Sequence, residues 1–512
     1  MLSLVIQLAL ELYYKKVSDN NFTKLDKELI RFDETNGVVR ADVIGIEKGD
    51  YVIKYETSNG QSYLTNTINV TAYDRSGYAH FAYASDATGV DTNAGIGAYT
   101  NKGTLKNNAV VVYVNDDNKN TVTAKMGSKT YTGLVEILKA QKNSSVPLDV
   151  RIIGTIKTAQ YNKIKYANKN EARNTLKNLL GTDKSKFTYD DVYKIGVNSF
   201  SNDIANGITV LNGLTNNVIY SKGEYDSYFN MCDLDSLKNV TVEGIGTDAG
   251  LFQWGFTWKK CSSIEVRNLT FDDYTEDACG FEGSDDVTVL SQFKTGHIWI
   301  HNNQFNQGSN NWDVCDDQDK AEGDGATDLK RLAFVTLSYN HYIKNHKTGV
   351  VGASNSVHQA CITFHHNYYE ECASRMPLGR QANMHLYNNY YYGTTSVTMS
   401  IRASGYAFIE GCYFEGGKNP IECQIDSTNG NGVAKVYNCI IESNGTNAGT
   451  IVENRDDVVA NTNVYDPNFD TNSTLFYYDD VNKKSDVENL TSAQQAKEDC
   501  IKYAGVLKDS NI

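Results

Sequence analysis

The stretch FHHNYYEECASRMPLGRQANMHLYNNYY, residues 364–391, holds one short phrase twice. FHHNYY ends at Tyr369 and LYNNYY at Tyr391, each an asparagine followed by two aromatic residues. Between them Arg375 and Arg380 flank Pro377, two cations beside a rigid residue in a chain of formal net charge −14. The phrase bears on the fold and the arginines on the chemistry.

The phrase recurs on both sides. VRNLTF ends at Phe271, IHNNQF at Phe305 and LSYNHY at Tyr342, while VYNCII ends at Ile441. Its asparagine stands at Asn303, Asn340, Asn367, Asn389 and Asn438, with FIEGCYF (408–414) dividing the last interval. A period of about 22 residues with insertions marks stacked supersecondary units. Each unit reads as a short strand, the asparagine, then a second short strand. Asparagine tolerates a left-handed bend, and its amide can bond the backbone of neighbouring turns. Stacking predicts a ladder through Asn340, Asn367 and Asn389. Hairpins would place Asn-Gly or Asp-Gly between strands, and this stretch does not. The fold class is therefore all-β, a right-handed parallel β-helix.

Composition agrees. Forty glycines, 34 tyrosines and only four prolines in 512 residues suit a turn-rich β protein of elongated or multidomain form. The acidic balance argues against a nucleic-acid partner, and no apolar run approaches the ~18 residues of a membrane span. The opening MLSLVIQLALELYYKK lacks a basic segment and a cleavage site, so it reads as an element of the first domain. The ten cysteines form no CxxC pair; Cys412–Cys423 and Cys279–Cys315 are spaced as disulfides, and buried small apolar roles are equally open.

A solenoid needs covered ends. GLVEILKAQKN (133–143) spaces Leu134, Ile137 and Leu138 as a helix for the N-terminal end. TSAQQAKEDCIKYAGVLK (491–508) reads as a C-terminal helix with Thr491 as N-cap. Residues 1–72 contain RADVIGIEKGDYVIKYETSNG, read as two alternating strands around a Gly-Asp turn. That segment resembles the later strands of a truncated fibronectin type III-like sandwich. Residues 73–105, rich in small and polar residues, read as a connector, and 106–512 as the β-helix domain. GIGTDAG (244–250) has the wrong glycine spacing for a dinucleotide loop and reads as a solenoid turn.

Three further features cluster in the second half. EGDGATDLKR carries Asp324 and Asp328 around a glycine turn, placed to offer carboxylates to a hard cation such as calcium. NHKTGVVG carries Lys347, and the arginine pair follows.

Together, HIWIHNNQF, GDGATD, NHKTGVVG and SRMPLGRQANMHLYNNYY resemble, in order and spacing, the pectate lyases of polysaccharide lyase family one. VPLDVRIIGTI (146–156) is similar to that family's opening strand. The resemblance covers about residues 106–510 and implies a calcium-dependent enzyme that cleaves polygalacturonate by β-elimination, leaving a 4,5-unsaturated product. It assigns Asp324 and Asp328 as calcium ligands, Lys347 and Arg380 as substrate-binding residues, and Arg375 as the base. The third calcium aspartate falls on Asp277, with Asp285 and Asp286 as the fallback inside the insertion that follows. His301-Asn302 and His346 depart from the family pattern and bear on subsite preference.

A polyanionic substrate explains the cations: calcium, Lys347, Arg375 and Arg380 outweigh three aspartates at the site. Arginine holds its proton tightly, so alkaline activity is the natural expectation. The expected protein is a secreted or cell-surface monomer. Its rivals are a non-catalytic carbohydrate-binding β-helix and a polygalacturonase built on CDDQD (315–319), whose Gly-His-Gly and Arg-Ile-Lys motifs are absent. A pectin lyase would lack the calcium aspartates.

Overall fold

The computed structural model describes residues 11–157, 234–306, 325–454 and 490–506, apart from 34–37, 58, 82–86, 145, 253, 273, 275–276 and 285–289. Three parallel sheets wind around one core, as the repeat predicts. The first contains Leu148–Lys157, Lys238–Phe252, Ser262–Arg267, Gly296–His301, Ala333–Ser338, Gln359–His365, Ala382–Tyr387 and Tyr406–Glu410. The second contains Thr270–Asp272, Gln304–Asn306, His341–Ile343, Tyr368–Glu370 and Tyr390–Tyr392, each one corner further along the chain. The third has eight short strands, from Leu234–Asp235 to Ile421–Cys423. Successive turns pair in register, giving a right-handed parallel β-helix. GIGTDAG lies within the long strand that passes from the first sheet into the second.

Between the first two sheets the chain uses two consecutive positions, not one. The left-handed residue comes first: Asn302, Tyr339, His366, Asn388 and Asn438 all have φ between 49° and 52°. The ladder residue follows. Oδ1 of Asn340 accepts from the backbone and side-chain amides of Asn303, both at 3.1 Å. Asn367 does the same for Asn340, and Asn389 for Asn367. Each Nδ2 also donates to a carbonyl of the previous turn, so every polar atom is matched inside a dry core. At the next turns Cys412 and Cys439 occupy the ladder position. Asn438 therefore belongs to the bend, one residue before the ladder. Inward from it, Phe271, Phe305, Tyr342, Tyr369, Tyr391 and Phe414 stack at 4.7–5.0 Å, the spacing of adjacent strands.

Cys412 and Cys423 are both free, so the disulfide reading of that pair is corrected; Cys412 is part of the ladder. Cys279 is free and buried, and Cys315 lies outside the described residues.

The helix Leu134–Ala140 buries Leu134, Ile137 and Leu138 in the main core beside the first turns, as its spacing predicts. The C-terminal helix, Ala493–Tyr503, is capped by Ser492, whose hydroxyl accepts from the Gln495 amide; Thr491 instead bonds the Asn388 side chain. This helix lies along the flank beside the ladder corner, with Cys500 Sγ against the carbonyls of Asn367 and Asn388.

In the N-terminal region, Gly49–Glu56 pairs antiparallel with Glu11–Lys16 within a five-stranded sheet, while Val38–Ala41 pairs with Ile30–Asp33 in a separate hairpin. The expected Gly-Asp turn is instead the start of a strand. Val43 and Ile44, which the alternation assigns to a strand, pack with Leu12, Leu25 and Leu29 against Ile245 and Ile153 of the solenoid.

The described residues of 73–105 lie as a strap on the outer face of the first sheet. Ser76 meets Tyr387, the Tyr78 amide donates to Thr363 and the Ala79 amide to Thr336. Further along, Gly97 bonds Ser263, Ala98 bonds Thr241, and the Tyr99 hydroxyl reaches Asp149 and Glu243. The strap covers a buried ionic strip: Arg151 on Asp149 and Glu243, Arg267 on Glu243 and Glu265, and His301 on Glu265. Burial and the neighbouring Glu243 push Asp149 up to about 8, whereas Glu243 is held low by Arg267 and Arg151 against its own burial.

Candidate active site

Site residues expected from the sequence lie at the edge of the third sheet where its strands begin. Asp277 precedes Cys279–Glu282, Asp328 precedes Leu329–Lys330, Lys347 precedes Val350–Val351, and Arg375 precedes Leu378–Arg380. Parallel bridges tie this edge together: Asp277 with Gly325, Lys347 with Ser374, and Ser374 with Val397. Residues distant in sequence thus stand on adjacent turns, about 4.8 Å apart. Asp324, Asp285 and Asp286 lie outside the described residues.

The two described carboxylates have room made for them. A side chain on Gly280 would bring its Cβ within 2.7 Å of Oδ2 of Asp277, and one on Gly325 would collide with Oδ1 of Asp328. Asp328 is buried, and its Oδ1 accepts from the Val350 amide at 3.0 Å. Its Oδ2 faces Nζ of Lys330 at 3.1 Å. Burial disfavours the Lys330 charge, but Asp328, Asp277 and Glu282 together raise its pKa above the ordinary lysine value. One ammonium therefore feels both candidate ligands. Hard oxygen donors, glycine clearance and a locally acidic field fit a calcium ion at Asp277 and Asp328.

Arg375 is an extra residue in its strand. Ser374 pairs with Val397 and the Met376 amide donates to Thr398, leaving Arg375 bulged between them at φ 64°. Its carbonyl still accepts from the Gly349 amide, so the bulge is anchored to the turn that carries Lys347. The Met376–Pro377 peptide that follows is cis. Arg380 donates through Nε to the Gly352 carbonyl at 2.9 Å and through Nη2 to that of Ala353 at 3.3 Å. Burial, then the positive charges of Arg402 and Arg375, lower its pKa.

Lys330 and Arg402 escaped the sequence reading. Each had a signal: Lys330 is two residues after Asp328 and so shares its strand face, and Arg402 pairs directly with Arg380 one turn on. Among the departures, His301 sits elsewhere, on the first sheet against Glu265, whereas the His346 carbonyl receives the Ser374 hydroxyl at the site edge.

The family model described as pectate lyase matches residues 201–509. The chain belongs to the pectate lyase family. Pectate lyase 3 of Pectobacterium carotovorum is 32% identical over 196 residues, 38% of this chain and 49% of the relative. Pectate lyase B of Dickeya chrysanthemi is 31% identical over 199 residues, 38% and 50% of the two chains. This pectate lyase family member thus spans about half the length of the curated relatives it matches. Among solved structures, pectate lyase C from Erwinia chrysanthemi, at pH 9.5 with 30 mM Ca2+, aligns with TM-score 0.44 and 18% identity over 80% of this chain and 96% of that one. A Bacillus sp. pectate lyase in complex with trigalacturonate aligns with TM-score 0.45 and 19% identity over 85% and 99%.

Proposed function

We propose that this protein is a calcium-dependent pectate lyase that cleaves α-1,4-polygalacturonate by β-elimination. The observation that carries the reading is the alignment of Asp277, Asp328, Lys347 and Arg375 along one edge of one sheet, with Arg380 at the end of the strand that follows the bulged arginine. Family membership and the pectate lyase names of its curated relatives support it.

Asp277 and Asp328, with Asp324, would hold the metal, which when bound draws charge from a uronate carboxylate and acidifies the C5 proton. Lys347 and Arg380 bind substrate carboxylates and fix the ring. Arg375, held out of the sheet by its bulge, takes the C5 proton through its guanidine nitrogen. As the C4–O bond breaks, the pair left on C5 forms the 4,5-double bond, and the C4–O pair departs with the oxygen, which takes a proton from solvent. Lys347 stabilises the charge that builds on the carboxylate before that bond breaks. On this reading the chain acts as a monomer outside the cell or at its surface. Residues 106–512 form the lyase domain, 73–105 connect to it along its flank, and the N-terminal region is a separate β module. Among the described residues no helix is long and apolar enough to cross a membrane.

The test is the ultraviolet absorbance of the unsaturated product on polygalacturonate, with calcium and then with chelator. Binding of the polymer without any absorbing product would favour the non-catalytic β-helix reading. Reducing ends without ultraviolet absorbance would favour hydrolysis.

A further inference from the structure

The ionic strip is not the only polar cluster beneath the strap. Where the strap begins, a carboxylate and two imidazoles converge: Asp74, His365 and His366 each bring one ligating atom to within 4.8 Å of the others. The two histidines are consecutive, and in a plain strand their side chains would face opposite sides of the sheet. The left-handed backbone of His366, φ 52°, brings the rings together, with the two Nδ1 atoms 3.0 Å apart. Both rings are buried and clamped by stacking, His365 on Tyr387 and His366 on Tyr339. Asp74 is oriented by the Ser76 amide at 2.9 Å and approached by the Tyr339 hydroxyl at 3.5 Å.

We propose that Asp74, His365 and His366 form a second metal site, for a transition metal of the zinc class, that fastens the strap to the solenoid. The donor chemistry selects the ion. Two imidazole nitrogens and one carboxylate suit zinc and its neighbours, whereas calcium prefers oxygens alone. A tetrahedral zinc ion with arms of about 2.0–2.1 Å holds two nitrogens about 3.3 Å apart, close to the spacing already present. Without an ion the cluster is under-bonded: two facing Nδ1 lone pairs share at most one proton. Tyr339 and Ser76 supply the outer shell that orients the carboxylate.

The site lies on the first sheet, apart from the carboxylates of the third, so its test does not depend on lyase activity. Full-length protein is stripped with chelator, then titrated with zinc chloride in excess calcium chloride by calorimetry, with cobalt chloride absorption reporting nitrogen ligation. One equivalent of zinc per chain is expected, with a thermal midpoint raised by several degrees and slower proteolysis within 73–105. Asp74→Asn and His366→Phe should each weaken zinc binding about tenfold or more. No stoichiometric uptake by folded wild-type protein would show a shared proton only and overturn the site. So would uptake unchanged in both variants.

Discussion

Nζ of Lys330 lies 3.1 Å from Oδ2 of Asp328, on the oxygen that the proposed calcium would claim. The lysine neutralises a buried carboxylate when no metal is present and competes with the metal when it arrives. Lys330→Met should therefore separate two quantities that normally move together. Without calcium the variant should lose about 1–3 kcal/mol, since the buried carboxylate loses its half-buried partner. Its apparent calcium affinity should rise, because that carboxylate no longer has an internal cation. Thermal melting across a calcium titration reads both; a parallel fall in stability and affinity would refute the competition.

Asp277→Ala and Asp328→Ala should each raise the calcium needed for half-maximal product formation. Asp328 also satisfies the Val350 amide, so Asp328→Ala should in addition cost about 1–3 kcal/mol of stability. If Asp277→Ala leaves the calcium requirement unchanged while Asp286→Ala raises it, the ligand lies in the insertion.

The ladder permits a prediction independent of function. Oδ1 of Asn367 accepts two bonds from Asn340, and its Nδ2 donates to the Leu337 carbonyl. Asn367→Ala orphans those groups in a dry core and should destabilise by about 2–4 kcal/mol. Asn438→Ala, at the bend, should cost about 1 kcal/mol through its left-handed backbone. Equal losses in denaturant unfolding would mean that the ladder and bend positions are energetically alike.

Burial also sets a pH limit. His80, His365 and His366 are pulled down to about 3, 4 and 4 by loss of solvent around the imidazole. The unfolded chain binds their protons near pH 6.5 and the folded chain does not, so between those values unfolding takes up protons. Stability is complete above about pH 6.5 and falls as pH drops toward 4, by up to about 3 kcal/mol per histidine. Unfolding midpoints measured from pH 7 to pH 4 should fall steadily (His365→Phe less steeply), and a flat profile would contradict the burial of neutral imidazoles.

Spacing alone exposed the solenoid, because one asparagine per turn serves a single structural need and so recurs visibly. It misassigned Asn438 because two adjacent positions, a bend and a ladder, both favour asparagine and only hydrogen bonding distinguishes them. The residues around Arg375 stood out in the sequence because they form a short motif of fixed residue types. Lys330 and Arg402 were not, since a lone lysine or arginine is ordinary surface decoration until register pairs it. The strap was the least visible: Gly, Ala and Thr read as a loose connector, yet small residues are what a backbone needs to lie flat on another sheet's side chains. A Cβ on Gly77 or Gly97 would collide with Thr336 or Thr241.

The base can be distinguished from its neighbours by what each residue touches before the reaction begins. Arg380 is held by the carbonyls of Gly352 and Ala353 and is poised to meet a ground-state carboxylate; Arg380→Ala should therefore weaken substrate binding as well as turnover. Lys347→Ala should do the same. Arg375 sits on a bulge anchored through its backbone to Gly349, and among the described residues no hydrogen bond or ion pair holds its side chain. Arg375→Lys and Arg375→Ala should leave polygalacturonate binding near wild type and reduce turnover by about 100-fold or more, the loss expected when a general base is removed. Initial rates on polygalacturonate, with binding measured separately on the same variants, decide it. If Arg375→Lys retains near-normal rates, another group removes the proton and Arg375 is reduced to an electrostatic partner of Lys347 and Arg380.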